Sequence, residues 1–220
     1  MKVMILAAGK GRRMLPLSRT IPKPLLKVNG KPLIERHIER LIEAGFSQIL
    51  INLYHLGEQI ELNVGDGSRW GVEIVYSREP KPLETGGGIA NALDLLGEGA
   101  FAVVNGDIWT DYDFNQLPGD LDSGLMGHLV MVDNPEHHRE GDFAITDTGR
   151  LAHSGTNLTY SGISVLSSEL FAGCIAEPFP LRKQLDPAIH DEKISGEHFK
   201  GRWSDVGTID RYELLQKEFD

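Results

Sequence analysis

The chain carries 22 Lys or Arg against 32 Asp or Glu over 220 residues, a formal net charge of −10. Such a length suits one α/β domain; the acidic total and 7% aromatic content speak against a nucleic-acid-binding face, and no apolar run reaches the roughly 18 residues of a membrane helix. The single Cys174 excludes an intrachain disulfide and a cysteine-based zinc site, and with no signal-peptide layout at Met1 to Gly9 a reducing cytoplasm is expected.

The positive charge is unevenly placed. Met1 to Ile34 holds eight Lys or Arg and no acidic residue, which leaves 14 basic and 32 acidic residues for the rest. The apolar run Met1 to Ala8 predicts a buried strand. It leads straight into Gly9-Lys10-Gly11-Arg12-Arg13. Glycines there let the backbone turn sharply and approach a ligand, and successive N–H groups can line a concavity that holds an anion. A basic glycine loop in an acidic chain predicts a phosphate funnel. It is not a P-loop, which needs G-x-x-x-x-G-K-[ST], nor a dinucleotide fingerprint, because Met14 stands in the third glycine's place. The glycines alone would also suit a plain turn with solvated lysines. Pro22-Lys23-Pro24 weighs against that: two prolines of fixed φ flank one lysine, and Ile21 and Lys23 are biased to extended backbone. That rigidity serves a lysine that must hold a phosphoryl group.

After Pro24 the Asn29-Gly30 turn and Lys31-Pro32 lead into a predicted helix, with Ile34, Ile38, Leu41 and Ile42 as its apolar stripe and Gly45 as its C-cap. Gln48 to Asn52 and Val72 to Tyr76 read as strands, with a short helix between His55 and Val64. This alternation predicts parallel strands joined by crossovers. Ligands of such sheets bind beyond the carboxyl ends of the strands, where Gly9 to Arg13 stand. A further helix runs from Leu83-Glu84-Thr85-Gly86-Gly87-Gly88 to about Leu96, with Thr85 as its N-cap. Each glycine costs it about 1 kcal/mol relative to Ala. A base or ribose lying against bare backbone would explain the run, and close packing on the sheet is the alternative. Phe101 to Asn105 is a fourth buried strand, and Asp107 follows at its ligand-binding end. A carboxylate there suits Mg²⁺, although N-G-D is also good turn chemistry.

The second half changes character. Gly127 to Val132, Asp142 to Thr146, Arg150 to His153 and Thr159 to Leu166 read as strands, antiparallel additions at one side of the sheet. Ser168 to Ala172 and Leu181 to His190 are predicted short helices. Gly201 to Thr208 gives a short extended segment ending at Asp205, with Thr208 capping a last helix over Ile209 to Phe219. The eight histidines read as surface or structural residues.

L-A-A-G-x-G-x-R-x-x-P followed by P-K-P, then N-G-D after a buried strand, then W-x-D-V-G-T near the end, resembles the sugar-1-phosphate nucleotidylyltransferases in content and order, over nearly the whole chain. The resemblance implies a Rossmann-like (GT-A-like) three-layer α/β fold. It implies one domain over 1–220, divided into a nucleotide-binding half (1–110) and a sugar-binding half (111–220). Its implied partners are small molecules, UTP and a sugar 1-phosphate, with Mg²⁺ as cofactor, no nucleic acid and no membrane, in a monomer or weak homodimer.

Position by position, Ala7, Ala8, Gly9 and Gly11 would offer backbone to base and phosphates. Arg13 matches an arginine on the triphosphate, while Arg12 holds a variable position. Lys23 would grip the reacting phosphates, which makes Arg13 and Lys23 the implied catalytic pair. Glu79 and the segment Glu84-Thr85-Gly86-Gly87 would hold base and ribose, and Asn105 would touch both nucleotide and sugar. Gly141, Asn157, Tyr160, Ser161 and Gly162 lie where the sugar is held, and Asp107 and Asp205 match the two metal-binding aspartates. One departure concerns the segment before the sugar-binding strand. Many relatives carry Glu-Lys-Pro there, and this chain has Arg139-Glu140-Gly141-Asp142, which implies a roomier or less cationic sugar pocket. Rival readings are a thymidylyl- or guanylyltransferase acting on glucose or mannose 1-phosphate, a non-catalytic regulatory subunit, and a glycosyltransferase using Asp111-Tyr112-Asp113. Arg13, Lys23, Asp107 and Asp205 together weigh against a pure binder.

Overall fold

From the N-terminus, β1 (Val3–Leu6) runs into the basic loop, and a small hairpin of β2 (Lys27–Val28) and β3 (Lys31–Pro32) leads to α1 (Leu33–Glu43). β4 (Gln48–Leu53), α2 (Gly57–Val64), β5 (Glu73–Arg78), α3 (Glu84–Leu96) and β6 (Ala100–Asn105) follow in the expected alternation. Next come a short β7 (Ile108–Thr110), β8 (Gly127–Val132), β9 (Phe143–Ile145), β10 (Leu151–Ala152) and the long β11 (Asn157–Ser167). The chain closes with α4 (Arg182–His190), β12 (Ile194–His198), β13 (Trp203–Asp205) and α5 (Ile209–Lys217). The computed structural model describes residues 1–219.

β5, β4, β1 and β6 stand side by side in that order, all parallel. β11 joins β6 antiparallel and β8 joins β11 antiparallel, so one nine-stranded sheet passes through both halves of the chain. β12, parallel to β8, has no sequence signal: ISGEH has a single fully buried residue and no apolar alternation. Successive residues of the central strands face opposite layers, as strand geometry requires. Val3, Ile5, Ile49, Ile51 and Val104 share a core with Ile34, Ile38 and Leu41 of α1 and Ile60 of α2. Met4, Leu50, Phe101 and Val103 share another with Ile89 of α3 and Leu185 of α4. This is the three-layer α/β arrangement.

A third apolar cluster positions the site. Met14 of the basic loop, Leu26, Val28, Leu33, Trp109, Val206 and Leu215 pack together. Trp109 lies two residues past Asp107, and Val206 directly follows Asp205. β13 pairs antiparallel with β7, with Asp205 opposite Ile108, and the Val206 N–H donates to the Asp107 carbonyl at 2.8 Å. Burial of a large apolar side chain contributes about 1.5–3 kcal/mol, so three sequence-distant motifs are held together by ordinary core formation.

The glycine run of α3 has a packing cause. The helix begins at Glu84, so Thr85 lies within its first turn and does not cap it. A Cβ on Gly86 would stand 2.4 Å from the Phe179 ring, one on Gly87 2.0 Å from the Glu177 carbonyl oxygen, and one on Gly88 2.7 Å from Glu79 Oε1. The Gly86 and Gly87 N–H groups both donate to the Phe179 carbonyl. At Gly87 the obstacle is backbone, which cannot rotate aside. Overpacking of this kind costs about 1–3 kcal/mol and outweighs the gain of about 1 kcal/mol in helix propensity. Gly87→Ala is therefore expected to lower the unfolding free energy by about 1–2 kcal/mol in a urea titration. Unchanged or higher stability would show that the segment around Glu177 yields.

Candidate active site

β1, β4, β5 and β6 end at one edge of the sheet, the usual ligand-binding edge of a parallel sheet. The residues at and just past those ends line a cleft of about 380 Å³. Ala7, Ala8, Gly9 and Lys10 come from β1, Asn52 from β4, Glu79 from β5, Asn105 and Asp107 from β6, and Glu84 and Thr85 from the start of α3. A hydrogen-bonded chain forms one wall. The Ala7 N–H donates to Asn52 Oδ1 (2.7 Å), Asn52 Nδ2 donates to Glu79 Oε1 (2.7 Å), and the Leu83 N–H donates to Glu79 Oε2 (3.0 Å). Burial raises the Glu79 carboxyl above its ordinary pKa, partly offset by the bonds from Leu83 and Asn52. Asn52 escapes sequence reading, because a polar strand end looks like any other. Glu84 has a φ of 59°, a costly conformation for a non-glycine residue and one that gathers at ligand sites.

The glycine loop and the pinned lysine form one unit. Gly11 has a φ of 59°, and a Cβ there would stand 3.0 Å from Ser18 Cβ and 3.2 Å from Lys23 Cγ. The loop thus leaves room for the aliphatic stem of Lys23. Lys23 itself departs from the expected extended backbone: it opens a 3-10 turn, closed by the Leu26 N–H donating to the Lys23 carbonyl at 3.0 Å. Its ammonium reaches Asp107, and the two form an ion pair with side chains 14% and 27% exposed. Lys10, Gly11, Arg12, Arg13, Lys23 and Gly207 line an adjoining hollow of about 240 Å³.

Asp205 is held by residues that sequence reading misses. Arg211 Nη1 donates to both of its oxygens, at 2.7 and 2.5 Å, and His137 Nε2 lies 3.2 Å from Oδ1. The available signal is the Thr208 cap, whose side chain accepts from the Arg211 N–H and so puts Arg211 in the first turn of α5. A helical side chain leans toward the N-terminus, here toward the end of β13. His137 is an exposed surface histidine, as expected of the histidines, and it also touches the Asp205 carboxylate.

Asp107 and Asp205 therefore stand at adjoining strand ends, each partly open and each paired to a cation of this chain. Two hard oxygen donors suit Mg²⁺, which takes one or two carboxylates and completes its shell with water and substrate phosphates. Lys23 and Arg211 already mark the negative potential such an ion would share, so the residues fit the ion. Among the described residues no group of three or more His, Cys, Asp or Glu forms a closed cage. Asp111-Tyr112-Asp113 is structural: the buried Tyr112 donates to Glu197 (2.5 Å), Asp111 accepts from the Arg202 N–H (2.7 Å), and Asp113 accepts from the Asn115 N–H (3.1 Å).

Buried His37 of α1 ties that helix to β7, its Nε2 3.0 Å from the Ile108 carbonyl oxygen. Burial lowers its pKa from 6.5 to about 4. The unfolded chain then binds this proton more tightly than the folded one, so stability is full above pH 6.5 and falls as the pH drops toward about 4. The loss is on the order of 3 kcal/mol. His37→Gln is expected to flatten this part of the pH dependence when urea unfolding is compared at neutral and acid pH. An unchanged slope would assign the acid sensitivity to other groups.

A second cleft, about 220 Å³, opens beside the first and shares Thr85 and Asn105 with it. Of the expected sugar-side residues, Asn105 and Tyr160 line it, together with Asp142 and Arg182. Gly141, Asn157, Ser161 and Gly162 do not line it. Gly162 (φ 85°) sits in the β-bulge of β11, where a Cβ would stand 2.4 Å from Asn105 Nδ2, so its bareness makes room for Asn105. Ser161 is spent on its surroundings: Oγ accepts from the Ile163 N–H (3.1 Å) and its carbonyl from Trp203 Nε1 (2.9 Å). Gly141 (φ 63°) fits against Asn134, whose Nδ2 donates to the Asn157 carbonyl at 3.0 Å. Gly86 likewise lies outside the first cleft, its N–H taken by the Phe179 carbonyl.

The chain matches known proteins along nearly its whole length. A family model described as "Nucleotidyl transferase" matches residues 2–150. An N-acetylmuramate alpha-1-phosphate uridylyltransferase of Neisseria meningitidis serogroup B is 46% identical over 227 residues, covering 98% of this chain and 97% of that protein. A protein of the same description from Caulobacter vibrioides is 32% identical over 219 residues, covering 93% and 90%. Among solved structures, HddC from Yersinia pseudotuberculosis complexed with GMP-PN has a TM-score of 0.80 at 26% identity, covering 100% of this chain and 99% of that one. The chain belongs to the nucleotidyl transferase family.

Proposed function

We propose that the protein transfers the uridylyl group of UTP to N-acetylmuramate 1-phosphate, giving UDP-N-acetylmuramate and pyrophosphate, with Mg²⁺ held by Asp107 and Asp205. The observation that carries this reading is that the basic loop and the Lys23–Asp107 pair meet at one rim of a cleft whose flank opens into a second cleft, with Asp205 at the end of the strand paired beside Asp107. The choice of base and sugar is supported by likeness to the Neisseria and Caulobacter proteins. A phosphate oxygen of the sugar 1-phosphate is already anionic, so its in-line attack on the α-phosphorus needs no general base. The obstacle is repulsion between two polyanions, and catalysis is then mainly positioning and electrostatic stabilisation.

In this reading the backbone of Ala7 to Gly9, with Asn52 and Glu79, faces the base, and Glu84 and Thr85 face the ribose. Arg13 clamps the departing pyrophosphate, and Lys23 offsets charge as attack proceeds. Bound at the two carboxylates, Mg²⁺ supplies Lewis-acid polarisation of phosphate oxygens. The reaction belongs to the cytoplasm and to peptidoglycan recycling, carried out by a monomer or weak homodimer. A pyrophosphate-release assay of the four nucleoside triphosphates against N-acetylmuramate, N-acetylglucosamine, glucose and mannose 1-phosphates tests it. UTP with N-acetylmuramate 1-phosphate is expected to turn over fastest, and only with a divalent ion. Faster turnover of dTTP or GTP with glucose or mannose 1-phosphate would replace this assignment.

A further inference from the structure

We infer that Arg182 recognises the carboxylate that sets N-acetylmuramate 1-phosphate apart from other hexosamine 1-phosphates, which makes it a specificity-determining residue of the second cleft. The inference rests on the uridylyltransferase reading above. N-acetylmuramate differs from N-acetylglucosamine by a lactyl ether that ends in a carboxylate. A carboxylate leaving water needs a cation or several donors, and an arginine fork matches its geometry. Among the residues that line the cleft, Arg182 is the one cation.

Its guanidinium is held in place yet not used up. Nε donates to Asp186 Oδ1 at 3.2 Å, and the group lies 5.0 Å from the centroid of the Phe143 ring. Nη1 is 3.8 Å from Asp142 Oδ1, close enough for attraction and too far for a hydrogen bond. Asp142 is itself engaged elsewhere: Oδ2 accepts from the Tyr160 N–H at 2.9 Å, and Oδ1 lies 3.3 Å from His138 Nε2. The Nη1 and Nη2 hydrogens are thus available to an incoming anion, and the side chain is 53% exposed toward solvent. Leu181, Leu185 and Phe143 give the apolar wall that a lactyl methyl requires.

The placement also breaks a local rule. Arg182 and Lys183 open α4, and its first turn carries no acidic residue. Cations at a helix N-terminus oppose the macrodipole, and breaches of local preference gather at functional positions. A substrate anion at this spot would meet both the arginine and the positive helix end.

The test compares two sugars in wild type, Arg182→Ala and Arg182→Lys. For N-acetylmuramate 1-phosphate, Arg182→Ala is expected to raise KM about tenfold, the size of a lost charge-assisted contact at a half-exposed site. Its kcat, the KM for UTP and the melting temperature stay near wild type, and Arg182→Lys recovers part of the loss. For N-acetylglucosamine 1-phosphate, which has no carboxylate, kcat/KM and the calorimetric Kd stay unchanged or improve. An unchanged KM for N-acetylmuramate 1-phosphate, or an equal loss for both sugars, overturns the role of Arg182 and leaves the reaction standing. Failure of the wild-type protein to use N-acetylmuramate 1-phosphate at all overturns both, and is seen before any variant is compared.

Discussion

Asp107→Asn and Asp205→Asn are each expected to lower kcat by about 10²–10³, as removal of a preorganised electrostatic element does, while the fold persists. The β7–β13 contact at Asp107 uses its carbonyl, which accepts from the Val206 N–H, so changing the side chain leaves that bond in place. Each substitution also releases a cation: Lys23 loses its carboxylate partner in Asp107→Asn, and Arg211 loses its own in Asp205→Asn. The surroundings of the substituted side chain become more positive by one charge. UTP binding without divalent ion is therefore expected to hold or tighten while turnover collapses. A purely structural aspartate would weaken both together. Kinetics against Mg²⁺ concentration, paired with calorimetric UTP binding with and without the ion, separate the two cases. Wild-type turnover by either variant at saturating Mg²⁺ would remove the metal assignment.

The parts of the site that could be read in advance are those with local chemical reasons. Gly11 and the Pro22-Lys23-Pro24 bracket announce themselves through backbone constraints, and the buried parallel strands through dense apolar runs. The glycines of α3 were equally visible, but their cause was not. They fit against Glu177, Phe179 and Glu79, and two of those partners lie about 90 residues downstream in a segment without regular pattern. Asn52, Arg211, His137 and Arg182 were illegible for a different reason. A polar residue at a strand end, or one turn into a helix, gains meaning only when another element is brought against it. For Arg211 that approach depends on Met14, Trp109 and Val206, apolar residues that stand singly beside the motifs and join a core only in three dimensions.

Lys23→Ala is expected to lower kcat by about 10²-fold while raising the KM for UTP only a few-fold. In the absence of substrate the Lys23 ammonium is already paired with Asp107. Contact with a phosphate must share or replace that pair, so the net gain on binding UTP is small. Negative charge on the reacting phosphates rises as attack proceeds, and an interaction that strengthens only then lowers the barrier without tightening the ground state. The surroundings suit this role. Pro22 and Pro24 limit the backbone on both sides, and the stem passes against Gly9 and Gly11 with 3.9 Å from Cε and 3.2 Å from Cγ to the positions of added Cβ atoms. Lys23→Arg is accordingly expected to rescue poorly, because a planar fork is bulkier than an ammonium and carries different geometry to the same point. Steady-state kinetics of the three forms, with UTP and sugar 1-phosphate varied in turn, give the answer. A rise in KM for UTP with kcat intact would reduce Lys23 to uniform binding, and efficient rescue by arginine would show that charge alone suffices where the Gly11 and proline constraints predict that placement matters as well.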